Sequence, residues 1–217
     1  MVKQKEFRTN KKHQSSSLPT RSRGVGIVRI VGGKFKRTPL LVGDRDGLRP
    51  TSERVRETVF DWLTHLKGPW ERLSVCDMFA GSGAMGLEAA SRGARRVVSV
   101  EKDRKTATGI AATVEKLHAE ECVEVVRGDV FAYLAGSQEK FDVIFIDPPF
   151  AKNLQMRALE VALDHLTPTG LVYLEGEQPF EQGVLHSAKV RIVRSAKAGA
   201  VHYLLVSPQQ NTDLVEG

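Results

Sequence analysis

Apolar residues change rhythm along this chain, and each rhythm predicts a different element. Ile27–Val31 and Arg37–Val42 are short β-type runs around Gly32–Gly33 and predict two joined strands. Arg49–Pro50–Thr51–Ser52 then opens a helix, with Thr51 or Ser52 as its N-cap. Val55, Val59, Trp62, Leu63 and Leu66 form its apolar stripe at helical spacing, and Arg54 and Arg56 fall off that stripe onto the expected surface.

From Leu73 the rhythm shortens. Leu73–Phe79, Arg96–Glu101, Val123–Arg127, Phe141–Ile146 and Leu171–Glu175 read as buried strands. Ala84–Arg92, Arg104–His118 and Gln155–Leu166 read as helices among them. Alternating β and α elements with short apolar strands predict a parallel sheet covered on both faces, an α/β fold. Lys189–Arg194 and Val201–Val206 read as strands with only Ser195–Ala200 between them, so they should pair antiparallel.

The length of 217 residues suits one core with a short addition. The expected division is a basic, disordered tail at 1–24, a hairpin and helix at 25–66, a main core at 67–207, and a frayed end at 208–217. Charge sharpens that division. Residues 1–56 carry a net +11 and residues 57–217 a net −5. A polyanionic partner engaged by the N-terminal quarter fits this polarity. Lys34, Lys36, Arg37, Arg49, Arg54 and Arg56 are the candidate contacts. No apolar run approaches the roughly 18 residues of a membrane span, and no secretory pattern opens the chain. Cys76 and Cys122 have apolar neighbours and no metal-ligand spacing, so they read as reduced core residues of a cytoplasmic protein with no metal site.

The strand at Leu73–Phe79 runs into Gly81-Ser-Gly-Ala-Met-Gly86, and Glu101 lies 20 residues beyond Gly81. In letters this is a dinucleotide fingerprint. Asp77, four residues before Gly81, argues otherwise. A carboxylate there repels a pyrophosphate and suits an ammonium. Glu101 ends the next strand, where it can accept from ribose hydroxyls, and Asp129 follows the third, where it can accept from an adenine amine. Each acid alone also fits a helix N-cap. Together they suit a ligand with an ammonium, a ribose and an adenine but no phosphate, a description that S-adenosylmethionine fits. Phe79, Gly81 and Gly83 complete the expected cofactor loop.

Phe141–Ile146 exits into Asp147-Pro148-Pro149-Phe150. Two prolines stiffen the exit and remove two donors. A base's exocyclic amine is a poor nucleophile because its lone pair is delocalised. Acceptors for its N–H bonds, the Asp147 carboxylate and the Pro148 carbonyl, stabilise the charge that develops on methylation. Pro149 shapes the same pocket, and Phe150 offers a stacking face for the base.

The [N/D]-P-P-[F/Y] pattern resembles that of amino methyltransferases acting on nucleic-acid bases. Arg29-Ile-Val-Gly-Gly-Lys-Phe-Lys, Leu48-Arg-Pro-Thr-Ser-Glu-Arg-Val-Arg-Glu-Thr-Val-Phe-Asp-Trp-Leu and Asp77-Met-Phe-Ala-Gly-Ser-Gly-Ala-Met-Gly-Leu-Glu-Ala resemble the bacterial RsmD family, over about residues 27–206. That resemblance implies a class I, Rossmann-like methyltransferase fold: a seven-stranded mixed sheet ending in an antiparallel hairpin, here with an N-terminal hairpin and helix. It implies methylation of a guanine N2 in 16S rRNA, met in a largely assembled small subunit; the protein itself is expected to be a monomer. By position, Asp77, Gly81 and Gly83 would hold the methionine end, Glu101 the ribose, Asp129 the adenine, and Asp147 through Phe150 the base. Thr113 departs from the Asn often found in the family's next helix, and the tail at 1–24 extends beyond the usual start. Other readings of the same residues are a DNA adenine-N6 methyltransferase, a non-catalytic RNA-binding assembly factor and an NAD oxidoreductase.

Overall fold

A computed structural model of the chain describes residues 26–42, 51–148 and 154–209. The tail expected at 1–24, most of that expected at 208–217, and the candidate residues Arg49, Pro149 and Phe150 lie outside the described residues.

The first strands, β1 (Gly26–Arg29) and β2 (Pro39–Val42), pair antiparallel as a two-stranded sheet of their own. Both are shorter than their apolar runs because the chain turns at Ile30, whose carbonyl accepts from the Arg37 amide at 2.8 Å. Helix α1 (Glu53–Lys67) follows. Its N-cap is Ser52, whose hydroxyl accepts from the Val55 amide.

After a single 3-10 turn at Trp70–Arg72 come β3 (Ser74–Asp77), α2 (Ala84–Ser91), β4 (Arg96–Glu101), α3 (Arg104–Leu117) and β5 (Val123–Arg127). Then follow α4 (Val130–Ala135), β6 (Phe141–Ile146), α5 (Leu154–Asp164), β7 (Leu166–Gly176), α6 (Gln182–Ser187), β8 (Val190–Ala198) and β9 (Val201–Pro208). The strand order is β5-β4-β3-β6-β7-β9-β8. β5 through β7 run parallel, and β9 pairs antiparallel with both β7 and β8. β8 reaches further toward the turn than its apolar run, leaving only residues 199–200 before β9, which starts where expected and runs on to Pro208 where a frayed end was expected.

Alternation along the strands divides the core in two. Val75, Val143, Phe145, Tyr173 and Leu205 face one layer with α1, α2, α3 and the N-terminal hairpin. Cys76, Ile144, Ile146, Val172, Leu174 and Val206 face the other with α4, α5 and α6. Cys76 and Cys122 are both free thiols; Cys76 is buried and Cys122 half-buried.

The N-terminal hairpin is fastened to α2 by polar groups as well as apolar ones. The fully buried Glu88 accepts from the Val31 and Gly32 amides at 2.7 and 2.8 Å and from Arg92 Nε at 3.0 Å. Ser91 accepts from the Phe35 amide at 2.8 Å and donates to the Gly32 carbonyl. These bonds fill backbone groups that the short hairpin leaves without strand partners.

Arg56 corrects the expectation that it sits on the RNA-facing surface. It is fully buried on α1 beside Val55, Val59, Phe60 and Leu63. Its guanidinium donates to the Thr51 carbonyl at 2.6 Å and the Arg29 carbonyl at 2.5 Å. Burial lowers its pKa, and Glu88, Glu53, Tyr173 and Glu175 oppose that effect. The inward face of α1 is wider than the apolar stripe suggested, because a charged residue with internal partners occupies part of it.

Candidate active site

The chain leaves β3 toward β4 on one side and returns to β6 on the other. The crevice at the carboxyl ends of β3 and β6 is therefore the sheet's topological switch point, the place where open α/β sheets bind ligands. Asp77 ends β3 and Asp147 follows β6, so the two predicted acids flank that crevice.

Asp77 is buried, and its Oδ2 accepts from the Gly86 amide at 3.0 Å. The bond caps the first turn of α2, whose N-cap Gly83 has no side chain to do so. Gly83 lies at φ 76°, in the left-handed region where a side chain is disfavoured. At Gly86 a Cβ would meet Ser99 Oγ at 2.4 Å, so the close approach of α2 to β4 requires glycine there. Burial pushes the Asp77 carboxyl up to about 7. The Gly86 and Phe79 amides pull it down, and the charge of Glu101 adds to the rise.

Glu101 is buried at the end of β4. Its carboxylate accepts from the Gly81 amide at 2.9 Å and the Asp103 amide at 2.7 Å, tying the glycine loop to the start of α3. Asp129 is half-buried and is the N-cap of α4, accepting from the Phe131 and Ala132 amides. Lys102 Nζ lies 3.3 Å from its other oxygen. Burial raises the Asp129 pKa, but the hydrogen bonds from Lys102, Ala132 and Phe131 outweigh it and hold the group below its ordinary value. The half-buried Phe79 meets Phe131 edge-on, with 6.3 Å between ring centroids, and Arg157 lies over the other ring at 4.1 Å. Thr113, on α3, donates to the Gly109 carbonyl of its own helix.

Asp147 is half-buried and Pro148 buried. Asp147 does not stand alone. Thr51 Oγ1 lies 3.2 Å from Asp147 Oδ2 and 3.0 Å from Glu175 Oε2, and the Tyr173 hydroxyl donates to the same Glu175 oxygen at 2.5 Å. Burial and the Glu175 charge push the Asp147 carboxyl well above the usual range. The Thr51 hydrogen bond opposes them, and Asp77 adds to the rise. Burial raises Glu175 as well, against the hydrogen bonds of Tyr173 and Thr51 and the charge of Arg56.

Thr51, Tyr173 and Glu175 were not singled out in the sequence as site residues. Thr51 read only as a helix cap and Glu175 as the last residue of a strand. The buried acid at the carboxyl end of a strand, like Asp77 and Glu101, was the signal available for Glu175. Of the basic candidates within the described residues, Lys34, Lys36, Arg37 and Arg54 are exposed and only Arg56 is not. Among the described residues no cluster of His, Cys, Asp and Glu could hold a metal ion, and no helix is long and apolar enough to cross a membrane.

Fold and site together define a class I methyltransferase: a seven-stranded sheet with an antiparallel end, and acids closing its first three strands. S-adenosylmethionine is the cofactor of this class. Carboxylates close to the ends of three successive strands accept hydrogen bonds and would repel a phosphate. A family model described as Conserved hypothetical protein 95 matches residues 28–207, and the chain belongs to that family, the RsmD family of methyltransferases. A relative from Haemophilus influenzae, named ribosomal RNA small subunit methyltransferase D, is 35% identical over 186 residues, covering 83% of this chain and 93% of its own. The solved structure of yhhF from Escherichia coli superposes with a TM-score of 0.72 at 32% identity, covering 85% of this chain and 100% of that one. SMU.776, solved in complex with SAH, shares the fold at a TM-score of 0.62 and 16% identity, covering 88% of this chain and 57% of that one.

Proposed function

We propose that the protein transfers a methyl group from S-adenosylmethionine to the exocyclic N2 of a guanine in 16S rRNA, within a largely assembled small subunit, as a cytoplasmic monomer. The observation that carries this reading is the position of Asp147: a carboxyl acceptor leaving β6 at the switch point, on the opposite side of the crevice from Asp77. The names of the relatives supply the rRNA. The cofactor supplies its methyl group as part of a sulfonium.

In this reading Asp77, with the loop at Phe79, Gly81 and Gly83, holds the methionine end, Glu101 the ribose and Asp129 the adenine edge. Asp147 and the Pro148 carbonyl accept the two N–H bonds of the amine and stabilise the charge that develops on it. Pro149 and Phe150 are the residues proposed from the sequence to hold the base. Residues 25–66 face the RNA, with Lys34, Lys36, Arg37, Arg49 and Arg54 on phosphates.

The test is methyl transfer from labelled cofactor to small subunits taken from a strain lacking the enzyme, with mass spectrometry of the digested RNA. The expected product is N2-methylguanine at one position. Label in DNA adenine instead, or cofactor binding with no transfer to any nucleic acid, would overturn the proposal.

A further inference from the structure

The cluster around Asp147 contains more acceptors than donors. A threonine hydroxyl carries one proton and accepts through its lone pairs. Thr51 Oγ1 nonetheless lies within hydrogen-bond reach of two carboxyl oxygens, 3.2 Å from Asp147 and 3.0 Å from Glu175. With both acids ionised, Thr51 can satisfy only one of them. With one proton added to the pair, both contacts are hydrogen bonds: the protonated acid donates to Thr51 and Thr51 donates to the other acid. Glu175 is better furnished to remain the anion. It accepts from Tyr173 and faces Arg56, whose guanidinium holds the Thr51 carbonyl.

We propose that Thr51 and Glu175 are positioning residues of the methyl-transfer step, the Thr51 hydroxyl bridging two carboxyl groups so that Asp147 can take up the proton released by the methylated amine. This rests on the reaction proposed above. As the nitrogen–carbon bond forms, the donor's sulfur–carbon bond breaks and its electron pair stays on sulfur. The nitrogen then carries one proton too many. That proton passes to the Asp147 carboxylate, which until then accepts from Thr51; the new acid donates to Thr51, whose own proton turns to Glu175. Asp147 returns the proton to water as product leaves.

Among the described residues, the charged and titratable groups facing the pair are Asp77 from β3, Arg56 from α1, and Tyr173 with its neighbour Tyr203 from β7 and β9. Each belongs to the rigid sheet or to α1, so the two bridge residues can be varied against a constant background. They act on Asp147 in opposite directions. The Thr51 hydrogen bond favours its ionised form and the Glu175 charge disfavours it.

The experiment is a carbon-13 NMR titration of the Asp147 carboxyl in the full chain, assigned by its loss in Asp147→Asn. Alongside it runs the pH dependence of single-turnover methyl transfer to unmodified small subunits. Thr51→Val should move the Asp147 titration and the rising limb of the rate about one unit to higher pH, the scale on which one neighbouring group acts. Glu175→Gln should move both about one unit lower, and Thr51→Ser should restore the wild-type positions. If Thr51→Val does not fold, Glu175→Gln, which preserves shape, carries the test with Thr51→Ser. Titrations that coincide in wild type and Glu175→Gln overturn the bridge. Because the titration needs no turnover, a wild-type protein that transfers no methyl to guanine overturns the proposed reaction separately.

Discussion

Thr51 and Asp147 are 96 residues apart in sequence and 3.2 Å apart at their side-chain oxygens. The contact ties the start of α1 to the exit of β6. Arg56, one turn further along α1, holds the Thr51 carbonyl and so fixes the angle from which the hydroxyl arrives. The N-terminal quarter therefore contributes a side chain to the site itself.

Arg56→Ala is expected to destabilise the fold by about 3–5 kcal/mol, since it removes one partner from a buried charged network and leaves two carbonyls without donors. Arg54→Ala, at an exposed position on the same helix, should change stability by less than about 0.5 kcal/mol. Their effects on RNA binding should invert that order: replacing Arg54 together with Lys34, Lys36 or Arg37 flattens the salt dependence of affinity. Urea unfolding and binding at several salt concentrations measure both. Equal stabilities of the two single variants would contradict the buried role of Arg56.

Glu88 anchors the hairpin to α2 through two backbone amides and Arg92. Glu88→Ala leaves all three without their acceptor and should cost about 3 kcal/mol or more, at roughly 1–3 kcal/mol for each buried group left unpaired. Amide exchange at Val31 and Gly32 should accelerate before exchange in β3 or β6 does. Unchanged protection at those two amides would show that apolar packing alone holds the hairpin.

Asp77 ionises in the folded chain near pH 7, raised by burial above the usual value near 4. Between those two values the folded state keeps a proton that the unfolded chain has lost. The associated stability is present at low pH and is lost as pH rises through 7. A cationic cofactor favours the ionised carboxylate. Affinity for S-adenosylmethionine should therefore rise by about tenfold from pH 5.5 to 7, one pKa unit being a factor of ten in equilibrium. Asp77→Asn should abolish that rise, and calorimetric titration across the range measures it. A wild-type affinity independent of pH would mean that Asp77 serves only Gly86.

What could be read from the sequence follows from how far each signal reaches along the chain. β4, β5 and β6 were expected at the residues where they occur, because each is a short apolar run bounded by polar residues. α4 and α6, six residues each, are too short to show a helical period, and neither was expected. β7 begins at Leu166, which had been read as the end of a helix. Its pairing with Phe141 is a tertiary fact that local pattern does not carry. Among the candidate site residues, Asp77, Glu101 and Asp147 stand at the strand ends where the sequence placed them, because each adjoins a short apolar run. The partnership of Thr51 with Glu175 spans 124 residues and has no local signature. Arg56 was misplaced because charge was taken as exposure, while its partners, the carbonyls of Arg29 and Thr51, are backbone groups that any residue supplies.

Asp147→Ala should retain the fold and bind cofactor nearly as the wild type does, because the carboxyl serves the amine. Its single-turnover rate of methyl transfer to unmodified small subunits should fall by roughly 10²–10³, as for loss of one positioned group that stabilises developing charge. Asp147→Asn should lose less, since its amide oxygen still accepts one N–H bond. Methyl transfer by Asp147→Ala at the wild-type rate would contradict the assignment and leave the segment beginning at Asp147 as no more than a stiff turn.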